Sequence, residues 1–223
     1  MPPEASIDRM IVYCADIGSV GRDNFGWARL PLEGDVLLGR RIDDLVAALA
    51  QDLSEDRPIS IGFECPLWAP VPVASHQLGK GRPNEGSPSW SGGPGGSVLA
   101  TGLVQVPWIL RSLKGMRCQG TAGLDWEEFV HGAGGRLFIW GAFVSGASKA
   151  PLGPSSHGDD AEIGARAFVD ALPDPVLMTE MWQPVGPIFS IAGAALLLTG
   201  WSSDPGSLHR ASLVVRAVPV ADA

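Results

Sequence analysis

Acidic side chains interrupt the apolar segments of this sequence at the points where those segments end or begin. Asp16 ends one apolar run, Glu64 ends another, and Asp159 and Asp160 open a segment with helical periodicity. Carboxylates that converge at the edge of a core repel one another, which raises their pKa values, and a divalent cation removes that cost. Because Mg²⁺ prefers hard oxygen ligands, the pattern predicts a site for Mg²⁺ or Mn²⁺. Metal ions held in this way can activate water for phosphodiester cleavage.

The third carboxylate of this site has two adjacent candidates. Asp159 and Glu162 form the Asp-x-x-Glu pattern of a helix capping box, so we expect Asp159 to cap the helix. Asp160 shares a helical face with Ile163 and Ala167, and it should therefore point toward the sheet. We predict Asp160 as the third ligand.

The elements that must position these carboxylates follow a mixed α/β pattern. Three short apolar segments within residues 10–39, separated by turns, predict strands joined by hairpins. Apolar residues at helical spacing predict a helix over 40–53. Continuous apolar runs at 59–64 and 136–144 predict strands that are covered on both faces. Three hairpin-connected strands followed by two βα units imply an α/β fold, with a mixed sheet of three antiparallel and two parallel strands flanked by helices.

A stretch rich in Gly, Ser and Pro runs from Gly79 to Gly102 without a helical or strand period, which predicts a long loop. Loops of this length inside a domain are usually functional or mobile. We therefore expect its first part, Gly79 to Gly96, to lie over or beside the acidic cluster. Helices are predicted to follow at 103–115 and at 157–172.

The segment after residue 173 predicts a C-terminal extension that contains a helix over 187–199 and a strand over 212–218. The sequence has no internal repeat and no clear linker. We therefore predict a single domain over 1–223, with a core of about 8–172 and the extension at 173–223.

Three motifs on these elements make the chain resemble a known superfamily. Asp16 lies in YCADIGSVGRDNFGWA, Glu64 lies in IGFECPLW, and the segment HGDDA begins at His157. The last motif resembles the His-x-x-Asp-Ala signature at the head of the catalytic helix in RuvC-type resolvases. Over about residues 8–172 the chain resembles RNase H-like domains, including the uncharacterised families of predicted RNase H-like nucleases. The resemblance implies a metal-dependent nuclease in which Asp16, Glu64 and Asp160 are the catalytic metal ligands.

Four further residues are candidates for catalysis or for substrate binding. His157 can order the attacking water or a phosphate, although a histidine before a helix is often only solvated. Lys80 and Arg82 lie in the Gly-rich loop, where they can bind phosphate or act as solvated surface charges. Trp90, in the same loop, is a candidate for stacking on a nucleic-acid base.

The charge of the chain limits how it can contact nucleic acid. The formal net charge is −8, which disfavours a protein that coats nucleic acid, because most of its surface would repel the phosphates. An enzyme that contacts a few phosphates locally remains compatible with that charge. The sequence leaves the oligomeric state open.

Features of the whole chain predict a cytoplasmic protein that does not enter a membrane. The start, MPPEASIDRM, lacks the pattern of a secretory signal, and the longest apolar run is too short to span a bilayer. The three cysteines are odd in number and lack Cys-x-x-Cys spacing, which is typical of reduced thiols.

Three functions are compatible with these features. The first is a Mg²⁺- or Mn²⁺-dependent hydrolase that acts on nucleic acid or on another phosphodiester. The second is a non-catalytic RNase H-like domain with a role in assembly or regulation. The third is a phosphotransferase of the actin-like kinase type, which shares the order of the first elements but needs two such domains, whereas this chain has room for one.

Overall fold

A mixed β-sheet organises the part of the chain that the structure, a computed structural model, describes: residues 7–86, 89–118, 120–132, 136–153, 155–176, 184 and 186–218. The strands in these ranges are β1 (Ile11–Asp16), β2 (Gly26–Pro31), β3 (Leu37–Gly39), β4 (Ile59–Phe63), β5 (Trp68–Pro70), β6 (Ala122–Gly123), β7 (Leu137–Phe143), β8 (Ile188–Ser190) and β9 (Val214–Arg216). The α-helices in these ranges are α1 (Ile42–Ser54), α2 (Gly93–Gly115), α3 (Trp126–Val130), α4 (Ser156–Asp170) and α5 (Ile191–Thr199).

The strand order of the main sheet is β3-β2-β1-β4-β7. Strands β3, β2 and β1 pair antiparallel, whereas β1, β4 and β7 pair parallel. The outer edge of β7 is shared by two short parallel strands, with β6 at its first residues and β9 at its last. The predicted mixed sheet, with three antiparallel strands followed by parallel ones, is confirmed. The sequence did not predict β6, whereas β9 falls within the strand predicted over 212–218, although its place in the sheet was not predicted.

The strands of the sheet centre carry apolar side chains on both faces, as their continuous apolar runs predict. On one face, Tyr13 and its neighbours pack against α1, α2 and α5. On the other face, Val12 and Cys14 pack against α3 and α4, in a cluster that contains the stacked rings of Trp140 and Phe168. Each large apolar side chain that is fully buried here contributes about 1.5–3 kcal/mol relative to an exposed position.

Helix α4 lies unusually close to the sheet, because glycines replace side chains at two contacts. A Cβ atom on Gly26 of β2 would lie 2.2 Å from the backbone carbon of His157. Near the middle of the helix, a Cβ atom on Gly164 would lie 2.7 Å from Cys14 Sγ. Since Gly26 is the partner of Asp16 across the antiparallel β1–β2 pair, the first turn of α4 is held beside the end of β1.

Helix α2 begins at Gly93, so the prediction of a loop as far as Gly102 is wrong for the residues from Gly93 onward. Glycine has a low helix propensity, and four glycines in this stretch concealed the helix in the sequence. Packing against the rest of the fold stabilises this part of the helix instead. A Cβ atom on Gly102 would lie 2.6 Å from Cys65 Sγ, so the glycine permits a close approach between α2 and the segment after β4.

The C-terminal extension contains the predicted helix and strand, and it is built into the fold. The helix begins at Ile191 rather than at 187, because residues Ile188–Ser190 form β8, which pairs antiparallel with β5. The Ser190 hydroxyl accepts a hydrogen bond from the Gly193 amide at 3.0 Å and so caps α5. Strand β9 then pairs with the end of β7, next to the edge of the sheet where β1 and β4 also end.

Candidate metal centre

Three carboxylates from distant parts of the chain converge at one edge of the sheet. Asp16 is the last residue of β1 and Glu64 directly follows β4, and these strands are parallel neighbours, so their carboxyl ends meet. Asp160 lies in the first turns of α4. One carboxylate oxygen of each residue lies within 4.8 Å of those of the other two. The predicted convergence is confirmed.

Asp160, rather than its neighbour, is the aspartate of α4 that joins this cluster. Its Oδ1 accepts a hydrogen bond from the Ala150 amide at 2.7 Å. Asp159 instead accepts a hydrogen bond from the Ser155 hydroxyl at 2.7 Å. The prediction that Asp159 caps the helix is wrong, because α4 begins at Ser156 and its N-cap residue is Ser155.

Lys149 supplies a positive charge to the cluster that the sequence did not reveal. Its Nζ donates hydrogen bonds to Asp160 Oδ2 at 2.9 Å and to Glu64 Oε1 at 3.0 Å. Burial lowers the pKa of Lys149, but the charge of Glu64 and the hydrogen bonds to both carboxylates outweigh that effect, so its pKa lies above the ordinary value. A lysine in a loop rich in Gly, Ser and Pro is usually solvated, and only the position of this loop after β7 indicates otherwise.

Glu64 retains one oxygen without a hydrogen-bond partner. Its Oε1 accepts from Lys149, whereas its Oε2 is buried and has no hydrogen-bond partner among the described residues. Burial is the largest of the effects that raise the pKa of Glu64 well above its ordinary value, and the charge of Asp16 adds to it, while Lys149 opposes both. Leaving a buried acceptor unpaired costs about 1–3 kcal/mol. A cation beside Oε2 would remove that cost.

His157 contacts the carboxylate at the other side of the cluster. Its Nδ1 lies 2.5 Å from Asp16 Oδ2, and its side chain is partly exposed. An ionised carboxylate only accepts hydrogen bonds, so Nδ1 carries the proton of this contact and donates it to Asp16. The absence of a side chain on Gly26 lets the His157 backbone approach β2, which brings the ring to Asp16.

The donor set of this cluster fits a hard divalent cation. All three converging side chains offer carboxylate oxygens, which Mg²⁺ and Mn²⁺ prefer. One of these oxygens, Glu64 Oε2, is buried and has no hydrogen-bond partner in the described part of the chain. Lys149 would have to withdraw from Glu64 and Asp160, and its side chain is 43% exposed, so it has solvent into which it can move.

A cavity of about 610 Å³ opens beside the cluster. Asp16, Glu64, Lys149 and His157 form its polar wall. Arg82, Trp90 and Gly95, which belong to the segment from Gly79 to Gly96, also line it. The expectation that this segment lies beside the acids is therefore confirmed.

The predicted substrate-binding residues lie at different places around this cavity. Arg82 and Trp90 line it, whereas Lys80 is exposed and lines a separate cavity next to Trp68. Arg82 is not an exposed loop side chain as the sequence suggested. It is buried, forms an ion pair with Glu85 at 2.6 Å and lies over the Trp68 ring, and burial lowers its pKa.

The Trp90 indole N–H donates a hydrogen bond to the Lys80 carbonyl at 2.9 Å. This bond fixes the ring within the loop and uses its only donor. Trp90 can therefore offer a ring face to a ligand, but not a hydrogen bond from its indole nitrogen.

Comparisons with known proteins return no family model, no curated protein and no solved structure that matches this chain. Within the described residues, none of the helices has the length and apolar character needed to cross a membrane. The function must therefore be inferred from the site itself.

Proposed function

We propose that this chain is a metal-dependent phosphodiester hydrolase of the RNase H-like type, in which Asp16, Glu64 and Asp160 hold Mg²⁺ or Mn²⁺. The observation that carries the proposal is the convergence of these carboxylates within 4.8 Å. It is joined by the buried oxygen of Glu64 that has no hydrogen-bond partner among the residues the structure describes. Its RNase H-like part is supported by the sheet, in which three antiparallel strands precede parallel ones, and by the position of the acids at the ends of β1 and β4.

The residues around the carboxylates have separate roles in this proposal. A bound divalent cation supplies Lewis acidity toward a phosphoryl oxygen and lowers the pKa of the attacking water. The bond between His157 Nδ1 and Asp16 orients the imidazole, so the other ring nitrogen is left to accept a proton from water. Once released from Glu64 and Asp160, the ammonium group of Lys149 can pair with a phosphate oxygen.

The acidic protein contacts nucleic acid locally in this proposal. The net charge is −8, so long-range attraction to a polyanion is weak, and the phosphate must be bound by groups at the site itself. Lys149 and His157 are basic groups on the wall of the cavity, next to the carboxylates.

The proposal is tested by metal titration and hydrolysis on matched aspartate variants. The wild-type protein should bind Mn²⁺ in calorimetry and cleave single-stranded nucleic acid slowly, and a chelator should stop the cleavage. Asp16→Asn should abolish turnover and weaken Mn²⁺ binding by roughly tenfold or more while the fold remains, since the substitution also removes like-charge repulsion. Asp159→Asn is the control, because Asp159 contacts Ser155 outside the cluster, and it should retain both properties.

One observation favours the non-catalytic alternative. Lys149 already places a positive charge between Glu64 and Asp160, so part of the negative charge of the cluster is balanced without a metal ion. In that case the three residues form a structural ion network. If the wild-type protein binds no Mn²⁺ and cleaves neither DNA, RNA nor hybrid substrates above the Asp16→Asn background, the hydrolase proposal is wrong and the non-catalytic function replaces it.

A further inference from the structure

The cavity beside the carboxylates exposes more apolar than polar surface, although polar side chains such as Arg82 and Thr101 also line it away from the acids. Away from the acids, its lining includes Ile17 after β1, Val98 of α2, Val144 after β7 and Val214 of β9. Ile17, Val144 and Val214 are each about 2% exposed, so they are fixed parts of the core. A ligand that fills this cavity needs a charged end and a flat or apolar body.

The size and shape of the cavity limit what can enter it. Its volume of about 610 Å³ falls within the range of roughly 300–1,000 Å³ that is typical of sites for small molecules. A base inside a duplex cannot enter a cavity of this kind unless it leaves the stack, which costs a few kcal/mol. Unpaired bases and strand ends avoid most of that cost.

We infer that this cavity binds one nucleotide unit, with its phosphate at the carboxylates and its base against the apolar wall. The inference rests on the proposed hydrolase function and narrows its substrate to short or single-stranded phosphodiesters whose terminal base is unpaired. Duplex nucleic acid is then a poor substrate. The net charge of −8 agrees with this, because a short substrate needs no extended basic surface.

Several side chains of the cavity suit a nucleotide. Trp90 and Phe143 line the cavity, and the Arg216 guanidinium lies over the Phe143 ring at 4.8 Å. Stacking of a base on an aromatic ring contributes about 1–3 kcal/mol. Arg22 is exposed where it lines the cavity and can pair with a second phosphate. The Thr101 hydroxyl donates to the Ser97 carbonyl at 3.1 Å, and its oxygen can still accept a hydrogen bond from the edge of a base.

A matched pair of substitutions on α2 tests the inference. Val98→Phe places a ring in the cavity, whereas Val104→Phe adds the same ring at a position that is 68% exposed and does not line it. The measurements are kcat/KM with Mn²⁺ for a thymidine dinucleotide and for a duplex, and binding of adenosine monophosphate by calorimetry. Val98→Phe should lower kcat/KM for the dinucleotide by about tenfold or more, as expected for a change of pocket volume. Val104→Phe should match the wild type.

The wild-type protein alone provides a second test, which does not depend on the folding of a variant. It should cleave the dinucleotide and single strands faster than the duplex, and it should bind adenosine monophosphate. If it cleaves the duplex as fast as the dinucleotide, or if both valine variants behave alike, the inference that the cavity binds one nucleotide unit is wrong. The hydrolase proposal still stands in that case. Methyl nitrophenyl phosphate, which has no base, separates the two proposals. If the protein neither binds Mn²⁺ nor hydrolyses this diester, the hydrolase proposal fails and the inference fails with it.

Discussion

The Lys149 ammonium group donates a hydrogen bond to Glu64 Oε1 at 3.0 Å, which joins residues that lie 85 positions apart in the sequence. Its second hydrogen bond, at 2.9 Å, reaches Asp160. Lys149 and a divalent cation would therefore compete for the same two carboxylates. In the metal-free protein Lys149 balances part of the negative charge of the cluster, and metal affinity depends on the cost of moving this side chain away.

Lys149→Met tests this competition. In the absence of metal, the variant should be less stable by about 1–2 kcal/mol, below the cost of breaking a fully buried pair, because Lys149 is 43% exposed. With Mn²⁺ present, the variant should bind the metal more tightly than the wild type, since no ammonium group has to be displaced. Thermal unfolding with and without Mn²⁺ measures both effects.

Lys80→Met is the control for loss of a lysine, because Lys80 is exposed and does not line the cavity of the carboxylates. It should leave stability and Mn²⁺ affinity unchanged. An unchanged or weaker Mn²⁺ affinity in Lys149→Met would show that Lys149 does not compete with the metal.

The positions of the acids could be predicted because each depends on local sequence. Asp16 and Glu64 end continuous apolar runs, and parallel neighbouring strands bring such ends together. Asp160 could be distinguished from Asp159 as the third ligand because Asp160 shares a helical face with apolar residues. These inferences need only the periodicities of strands and helices.

The partners of the acids could not be predicted in the same way. Lys149 reaches the cluster only because the loop after β7 returns to the edge where β1 and β4 end. Val214 lines the cavity because β9 adds to the far side of β7, which no local pattern indicates. The start of α2 was missed since tertiary packing outweighs the low propensity of its glycines.

His157→Gln tests the proposed role of the imidazole. Glutamine keeps a hydrogen-bonding group near Asp16 but cannot accept a proton from water at neutral pH. Turnover of a phosphodiester should fall by about 10²-fold or more, with a smaller change in Mn²⁺ affinity. His131→Gln is the control, because His131 is exposed and pairs only with Glu127 among the described residues. Equal activity of the wild type and the His157 variant would remove the imidazole from the mechanism.

Metal affinity should depend on pH through Glu64. Burial and the charge of Asp16 raise the pKa of its carboxyl above the ordinary value of 4.5, and a protonated carboxyl is a poor metal ligand. The Mn²⁺ affinity should therefore rise with pH until Glu64 is ionised. In the unfolded chain Glu64 has its ordinary pKa. At a pH between that value and the raised pKa, the folded state therefore binds more protons than the unfolded chain. The metal-free protein should then lose stability as the pH rises through this interval.

Glu64→Gln has no proton to lose at this position. Its metal-free stability should show less of this decline with pH, and its Mn²⁺ affinity should be low at every pH. Calorimetric titration and chemical denaturation over a pH series measure the two effects. A wild-type Mn²⁺ affinity that is constant with pH would contradict the raised pKa of Glu64.

Tyr13 provides a test of the fold away from the metal centre, because it is the only tyrosine of the chain. Its hydroxyl donates a hydrogen bond to Asp52 Oδ2 at 2.5 Å, and Arg29 donates to both oxygens of the same carboxylate. Burial is the largest of the effects that raise the pKa of Tyr13 well above the ordinary value of 10.0, and Asp52 adds to it while Arg29 opposes it. The folded protein should therefore show no tyrosinate absorbance near pH 10, whereas the unfolded chain should ionise there.

The difference between the pKa of Tyr13 in the folded and in the unfolded chain determines how stability changes with pH. Above pH 10 the unfolded chain has lost the phenolic proton and the folded state has kept it, so the free energy of unfolding falls as the pH rises, by up to about 1.4 kcal/mol per pH unit. Tyr13→Phe cannot ionise, and it should be less stable at neutral pH by about 1.5–3 kcal/mol, because Asp52 loses a hydrogen bond. Above pH 10 its stability should decline less steeply than that of the wild type. Tyrosinate absorbance of the folded wild type that appears near pH 10 would contradict the burial of Tyr13 against Asp52.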